Sequence, residues 1–510
     1  MMRTIELRLE DEAATIQLGE DLALALKTGD CLALSGDLGA GKSTLARALL
    51  RAMADDAALE VPSPTFTLVQ NYELRIPVAH FDLYRLADAS ELEELGFDEA
   101  LDAGICLVEW PEKALAALPQ KRLTADFSHL DTGRLLVLSG DDAAMARVER
   151  SLAIRAFLRA RGHGEAIRRH LSGDASSRAY ERIEIAGQPT KILMDAARQT
   201  PGPILQDGKY YQQLAHIAED VIPFVAVAKD IRDKGFCAPE IYESDLEAGI
   251  LLIENLGREG ILSHDGTPIP ERYLESVRVL AHLHAQPVKR DITLPGAISH
   301  HIPDFDRTAM RIETSLLIDW YLPWKRGERA SDSERRSYFE VWDQLIDLLA
   351  VSEKKLLLRD YHSPNIIWRN ERTGFERVGI IDFQDAMIGP TAYDVAAITQ
   401  DARVTIKPGL CRDMLGLYCG ERRALGEFDE AIFRRDWHLM SAQRNCKLVG
   451  IWVRLMQRDD KPFYMKHMPR TFAYLEEALR HEALAPLSDW CAKAGILESA
   501  SAKLDVPEPL

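Results

Sequence analysis

Cys31-Leu32-Ala33-Leu34-Ser35-Gly36-Asp37-Leu38-Gly39-Ala40-Gly41-Lys42-Ser43-Thr44 decides the fold of the N-terminal part. Its opening is an apolar run of strand length, and Gly36 to Ser43 fit the pattern GxxxxGK[ST]. Residues 42–54 then place apolar side chains at helical spacing. Glycines let successive backbone N–H groups turn inward around phosphate oxygens, and the helix that follows points its positive end at the same oxygens. Lys42 is placed to reach the β and γ phosphates, and the Ser43 hydroxyl to ligate magnesium. Gly36, Asp37, Leu38, Gly39, Ala40, Gly41, Lys42, Ser43 and Thr44 are therefore the expected nucleotide-binding residues, for ATP or GTP with Mg2+.

Outward from this loop the pattern stays α/β. Residues 3–9 alternate like a half-buried strand, and 11–27 carry helical spacing. Thr65–Tyr72 and Val78–Tyr84 read as a hairpin with its turn near Arg75-Ile76-Pro77. Ile105–Val108, Leu123–Phe127 and Leu135–Leu138 supply further strands, and Ser139-Gly140-Asp141-Asp142 reads as a turn-rich boundary before an amphipathic helix over 144–160. Two carboxylates, Asp82 and Glu109, end apolar segments. Either one alone reads better as a strand-end acid making a surface pair; together they suit the metal and the attacking water of a nucleotide-hydrolysing site.

Four blocks give a family resemblance. Gly36–Thr44, Ser63-Pro64-Thr65-Phe66-Thr67-Leu68, His80-Phe81-Asp82-Leu83-Tyr84-Arg85-Leu86 and Glu109-Trp110-Pro111-Glu112 resemble TsaE, the small ATPase needed to make threonylcarbamoyladenosine on tRNA. The resemblance implies ATP hydrolysis within an assembly of TsaD- and TsaB-like proteins, through which the tRNA is met indirectly. It also implies ATP-site roles for Thr65, Asp82, Glu109 and Trp110, with Glu109 toward the metal. The Thr65 hydroxyl can orient water or sense the γ phosphate; Trp110 reads equally as core.

In the second half, strands and a long helix over Tyr210–Lys229 precede a region dominated by helices. That order predicts a bilobal protein-kinase-like (α+β) domain after a P-loop NTPase domain, with extents of 150–495 and 1–142. Leu356-Leu357-Leu358-Arg359-Asp360-Tyr361-His362-Ser363-Pro364-Asn365 sets Asp and Asn as phosphoryl transfer to an alcohol uses them. Asp360 would accept the hydroxyl proton, and Asn365 would ligate magnesium. Val378-Gly379-Ile380-Ile381-Asp382-Phe383-Gln384-Asp385 then delivers Asp382 as a second metal ligand. An Asx-type turn before a hairpin is the alternative for either block alone.

These blocks resemble the aminoglycoside-phosphotransferase family, and within it the AmgK-type kinases of N-acetylmuramate and N-acetylglucosamine. Supporting stretches are Gly173–Arg178, Ile192–Ala196, Leu251–Gly257, Ile318–Leu322 and Gln443–Ile451. The resemblance implies that Gly173, Ser176 and Ser177 cover the nucleotide phosphates and that Glu254 to Leu256 meet adenine. It implies an amino sugar as the small-molecule acceptor. The family commonly has His two positions before the catalytic Asp; here Leu358 stands there. Lys191 is the candidate phosphate-gripping lysine, with Glu219 as its partner, and an exposed surface lysine is the alternative. His362, Trp320 and Trp324 could line the acceptor site or belong to the core.

The net charge of −18 argues against coating nucleic acid, and no direct DNA binding is expected. The seven cysteines include no CxxC pair and read as free buried thiols. The acidic N-terminus and the absence of a long apolar run predict a cytoplasmic chain with no membrane contact. Two other readings stay open: a regulatory pseudokinase in the C-terminal half, and a generic P-loop metabolite kinase in the N-terminal half.

Overall fold

The structure, a computed structural model, describes residues 2–171, 178–198, 202, 204–206 and 208–497. The chain begins with β1 (Met2–Leu9), α1 (Glu12–Ala25), β2 (Cys31–Ser35) and α2 (Lys42–Ala54). It continues through β3 (Val69–Tyr72), β4 (Val78–Asp82), α3 (Glu91–Glu94), α4 (Phe97–Ala103), β5 (Ile105–Glu109), β6 (Leu123–His129), β7 (Arg134–Asp141) and α5 (Asp142–Ala160). The seven strands form one sheet in the order β1-β7-β6-β2-β5-β4-β3. β2 is parallel to β5 and β6, and β4 is parallel to β5. Leu32, Ala33 and Leu34 have no exposure, as a strand covered on both faces requires, and this explains its unbroken apolar run. The sheet fits a P-loop-like domain, with the Gly36–Gly41 loop joining its central strand to α2.

Two local expectations are corrected. Thr65–Leu68 is a turn rather than strand, so the hairpin is only β3 against β4. The Ser63 and Thr65 hydroxyls bond Asp82, which holds this segment at the end of β4 instead of along its edge. Ser139–Asp141 is not a turn but the end of β7, paired with β1 from Met2 to Thr4. The Asp141 carboxylate accepts from the Ala144 N–H and so caps α5 directly.

Backbone contacts divide the chain into two units: Met1–Ala196 with Tyr242–Ile253, and Ala197–Ile241 with Glu254–Leu510. The first unit holds a second sheet, formed by β8 (Ile167–Leu171), β9 (Ala179–Glu184) and β10 (Lys191–Asp195) with strands Ile250–Glu254 and Ile241–Asp245. A buried ion network ties this sheet to the first. Asp21 on α1 accepts from Arg168 Nη1 on β8 at 2.7 Å and from Arg155 Nε on α5 at 3.1 Å. Arg168 also makes a bidentate pair with Glu181 of β9, 2.7 Å on each side, and Arg155 meets Glu20 at 3.1 Å. The C-terminal end of α2 joins in: Asp55 pairs with Arg169 at 2.9 Å and with Arg182 at 2.7 Å.

The second unit is mainly helical, its longest helix being Glu430–Arg458. Within it, strand Lys354–Leu357 pairs with Met387–Pro390, and Ile366–Trp368 pairs with Val378–Ile380, both antiparallel. The expected long helix over 210–229 is two helices, Tyr211–Leu214 and Ile222–Asp233, and Glu219 lies between them. Pro223 is the reason: it suits the first turn of a helix and not its interior.

Candidate active sites

In the first unit, the phosphate loop, Ser63, Thr65, Asp82, Tyr84, Glu109 and Trp110 line one cavity of about 310 Å³. Gly36 must be glycine: its φ is +132°, and a Cβ there would stand 2.6 Å from the Phe127 carbonyl oxygen. Lys42, only 4% exposed, donates from Nζ to the carbonyls of Gly36 at 2.6 Å and Asp37 at 2.9 Å. The Nζ also lies 3.7 Å from the Trp110 ring centroid, so Trp110 walls the site, with Tyr84 against it at 5.0 Å. Burial draws the Lys42 pKa below its ordinary value, against the pull of Glu109, Glu112, Asp82 and Asp37.

Parallel pairing sets Asp82 opposite Glu109 at the ends of β4 and β5. Ser43 Oγ donates to Glu109 Oε2 at 2.8 Å, and His80 Nε2 lies 2.9 Å from Glu109 Oε1. Asp82 Oδ2 accepts from Ser63 at 2.7 Å and from Thr65 at 2.9 Å. A hydroxyl beside a carboxylate, next to a phosphate-binding loop, is a donor set that suits a hard divalent cation held partly by substrate oxygens.

In the second unit the Ile366–Trp368 hairpin carries Asn365 and Asp382 to the same end, and the Ile381 N–H donates to the Asn365 carbonyl at 3.0 Å. Asn365 Nδ2 donates to the Asp360 carbonyl at 2.9 Å and to Asp382 Oδ2 at 3.2 Å. Gln384 supports Asp382 at 2.9 Å. The three expected residues are thus brought together. Asp382 itself takes φ +61°, which turns its carboxylate off the strand line. Burial raises the Asp360 pKa, but Lys447, His362, Arg359 and Arg444 outweigh it and hold the carboxyl below its usual value. This pair of an amide and a carboxylate likewise suits a divalent cation.

The other expected positions each have their own surroundings. Lys191 begins β10 with its Nζ 4.9 Å from the Tyr242 ring centroid. Glu219 lies 3.7 Å from Arg198. Glu254 accepts from Arg369 at 3.0 Å, and Leu256 is buried. His362 is buried within the loop between Asp360 and Asn365, and that burial lowers its pKa. Trp320 and Trp324 are half-buried, Trp324 against Tyr321. Gly173, Ser176 and Ser177 lie outside the described residues.

Residues 9–136 match the family described as threonylcarbamoyl adenosine biosynthesis protein TsaE, and residues 168–428 match the phosphotransferase enzyme family. An N-acetylmuramate/N-acetylglucosamine kinase of Caulobacter vibrioides is 31% identical over 353 residues, covering 67% of this chain and 96% of its own. One of the same name from Pseudomonas putida is 30% identical, covering 63% of this chain and 86% of its own. The tRNA threonylcarbamoyladenosine biosynthesis protein TsaE of Haemophilus influenzae is 37% identical over 144 residues, covering 27% of this chain and 90% of its own. The chain belongs to both families. It is a fusion enzyme, a TsaE-type ATPase followed by a phosphotransferase. Among the described residues no helix is long and apolar enough to cross a membrane.

Sequence reasoning missed several groups in these halves. In the TsaE half, His80 braces Glu109, and Ser63 braces Asp82. In the phosphotransferase half, Asp394 has no exposure and accepts from the N–H groups of Leu358 at 2.6 Å and Arg359 at 2.9 Å. The loop is therefore anchored through its backbone, which the side chain at 358 does not alter. A carboxylate alone in the apolar run Ala392–Thr399 was the signal available. Asp401 similarly holds the Ser363 N–H at 2.8 Å.

Proposed function

We propose that residues 1–142 hydrolyse ATP with Mg2+ in the assembly that makes threonylcarbamoyladenosine on tRNA, and that residues 150–495 phosphorylate an amino sugar. The observation that carries the reading is the meeting of Asp360, Asn365 and Asp382 in one half, as Lys42, Ser43, Asp82 and Glu109 meet in the other. In the phosphotransferase half the sugar hydroxyl oxygen bonds the γ phosphorus of ATP as the bond to the β–γ bridging oxygen breaks. ADP leaves, and the hydroxyl proton passes to Asp360. Asn365 and Asp382 would hold magnesium, which neutralises charge on the phosphates. Lys191, Glu254 and Leu256, with Gly173, Ser176 and Ser177, are the proposed nucleotide contacts.

In the TsaE half, Gly36 to Thr44 would bind the phosphates, and Ser43 with Glu109 would hold the metal. Asp82 and Thr65 would orient water, with Trp110 as the wall. Leu38 and Tyr84, which line this site, and Phe66, next to Thr65 in the chain, are exposed large apolar residues, which supports partners of the TsaD and TsaB kind closing over it. The amino-sugar reading is tested with labelled ATP and a panel including N-acetylmuramate and N-acetylglucosamine; transfer to no sugar would sink it. For the TsaE half, Lys42→Ala removes charge-assisted contacts and should weaken ATP binding about 10- to 100-fold. It should also fail to support growth of cells depleted of TsaE. Unimpaired growth would remove the assignment.

A further inference from the structure

Arg359, immediately before Asp360, takes φ +70°, in the left-handed region that residues with side chains avoid. A conformation of that kind persists only where its surroundings over-determine it. Asp394 fixes the backbone on one side. On the other, the Arg359 guanidinium is buried and pairs with Glu313 of helix Arg307–Leu316. Glu313 has no exposure, and it accepts from Lys447 Nζ at 2.8 Å and from Gln443 Nε2 at 2.9 Å, both from helix Glu430–Arg458. Burial would raise its pKa, but Lys447 and Arg359 outweigh that and hold the carboxyl at about 2. Glu313 is thus a fixed anion on which Arg359, Lys447 and Gln443 converge, and Arg359 is the residue next to Asp360.

We propose that Glu313 is a positioning residue for Asp360: by gripping Arg359 and Lys447 together it fixes where the Asp360 carboxylate points. The inference rests on the phosphotransferase reading. A carboxylate that served only to neutralise two buried cations would affect stability and leave turnover per folded molecule unchanged. A positioning residue instead lowers kcat and leaves KM alone, because it acts through the proton acceptor and not on bound substrate.

The test is steady-state transfer from ATP to the sugar found in the panel, on the full chain, with folded protein quantified by its melting transition. Glu313→Gln should lower kcat on the order of 10²-fold, the size expected of a displaced catalytic group, with both KM values within about threefold. Glu313→Asp keeps the charge but shortens the reach, and should lower kcat about tenfold, which serves if the Gln variant does not fold. Glu313→Gln combined with Asp360→Asn should be no slower than Asp360→Asn alone, since nothing remains to be positioned. A folded variant with kcat within about twofold of wild type, or a double variant slower than Asp360→Asn, overturns the proposal. A wild-type chain that phosphorylates no sugar removes the phosphotransferase reading, and this inference with it.

Discussion

Asp360→Asn will slow phosphate transfer to the sugar by about 10²- to 10⁴-fold, the contribution of a positioned general base. The substitution keeps shape and removes the carboxylate's charge together with its ability to take a proton. Asn365 bonds the carbonyl of residue 360 and not its side chain, so the link to Asp382 stays in place. KM for ATP should therefore hold while kcat falls. ATP hydrolysis at the site proposed for it in the TsaE half, at Lys42, Ser43 and Glu109, uses none of these residues and should continue unchanged, so sugar phosphate must be measured rather than ADP. A variant that keeps a tenth or more of the wild-type transfer rate would show that Asp360 is not the proton acceptor.

The second large effect is on stability. Asp21→Ala will destabilise the first unit by about 3 kcal/mol, the lower end of what breaking a buried ion pair costs. Arg168, 1% exposed, and Arg155, 3% exposed, would lose the carboxylate they share, though Glu181 and Glu20 remain to each. For a unit of this size that loss lowers the melting midpoint by about 6–12 °C. Asp21→Asn, which still accepts from one arginine, should fall between. Thermal unfolding of the full chain followed by circular dichroism reads the shift. A midpoint within about 2 °C of wild type would mean the network is not holding the two sheets together.

Legibility followed the range of the interactions. The phosphate loop and the Asp360–Asn365 and Asp382 blocks are written in contiguous residues, so their chemistry could be read before any fold was known. Glu313 could not: it lies 46 residues from Arg359 and 134 from Lys447, and only packing brings them together. Asp394 was hidden for the opposite reason, as a charge inside an apolar helix whose bonds run to another segment's backbone. Composition misled at Ser139–Asp142, where Gly and Asp suggest a turn. Gly140 is there for closeness, since a Cβ would stand 2.7 Å from Leu123 Cδ2, and pairing with β1 outweighed local preference. At Thr65–Leu68 the residues suit a strand, but Asp82 holds the Thr65 hydroxyl and that of Ser63 just before it.

The buried ion network also sets an order of events at the ribosome. β1 leaves well before β7 yet closes only against it, so the TsaE sheet cannot be completed before Asp141 has emerged. Asp21 has by then been made without its cation on β8, since Arg168 lies 27 residues beyond Asp141. At about 5–20 residues per second the nascent domain spends on the order of 1–5 s as a finished sheet in which Asp21 still lacks Arg168, Arg155 of α5 reaching it first. In this fusion the newborn ATPase waits for the kinase sheet.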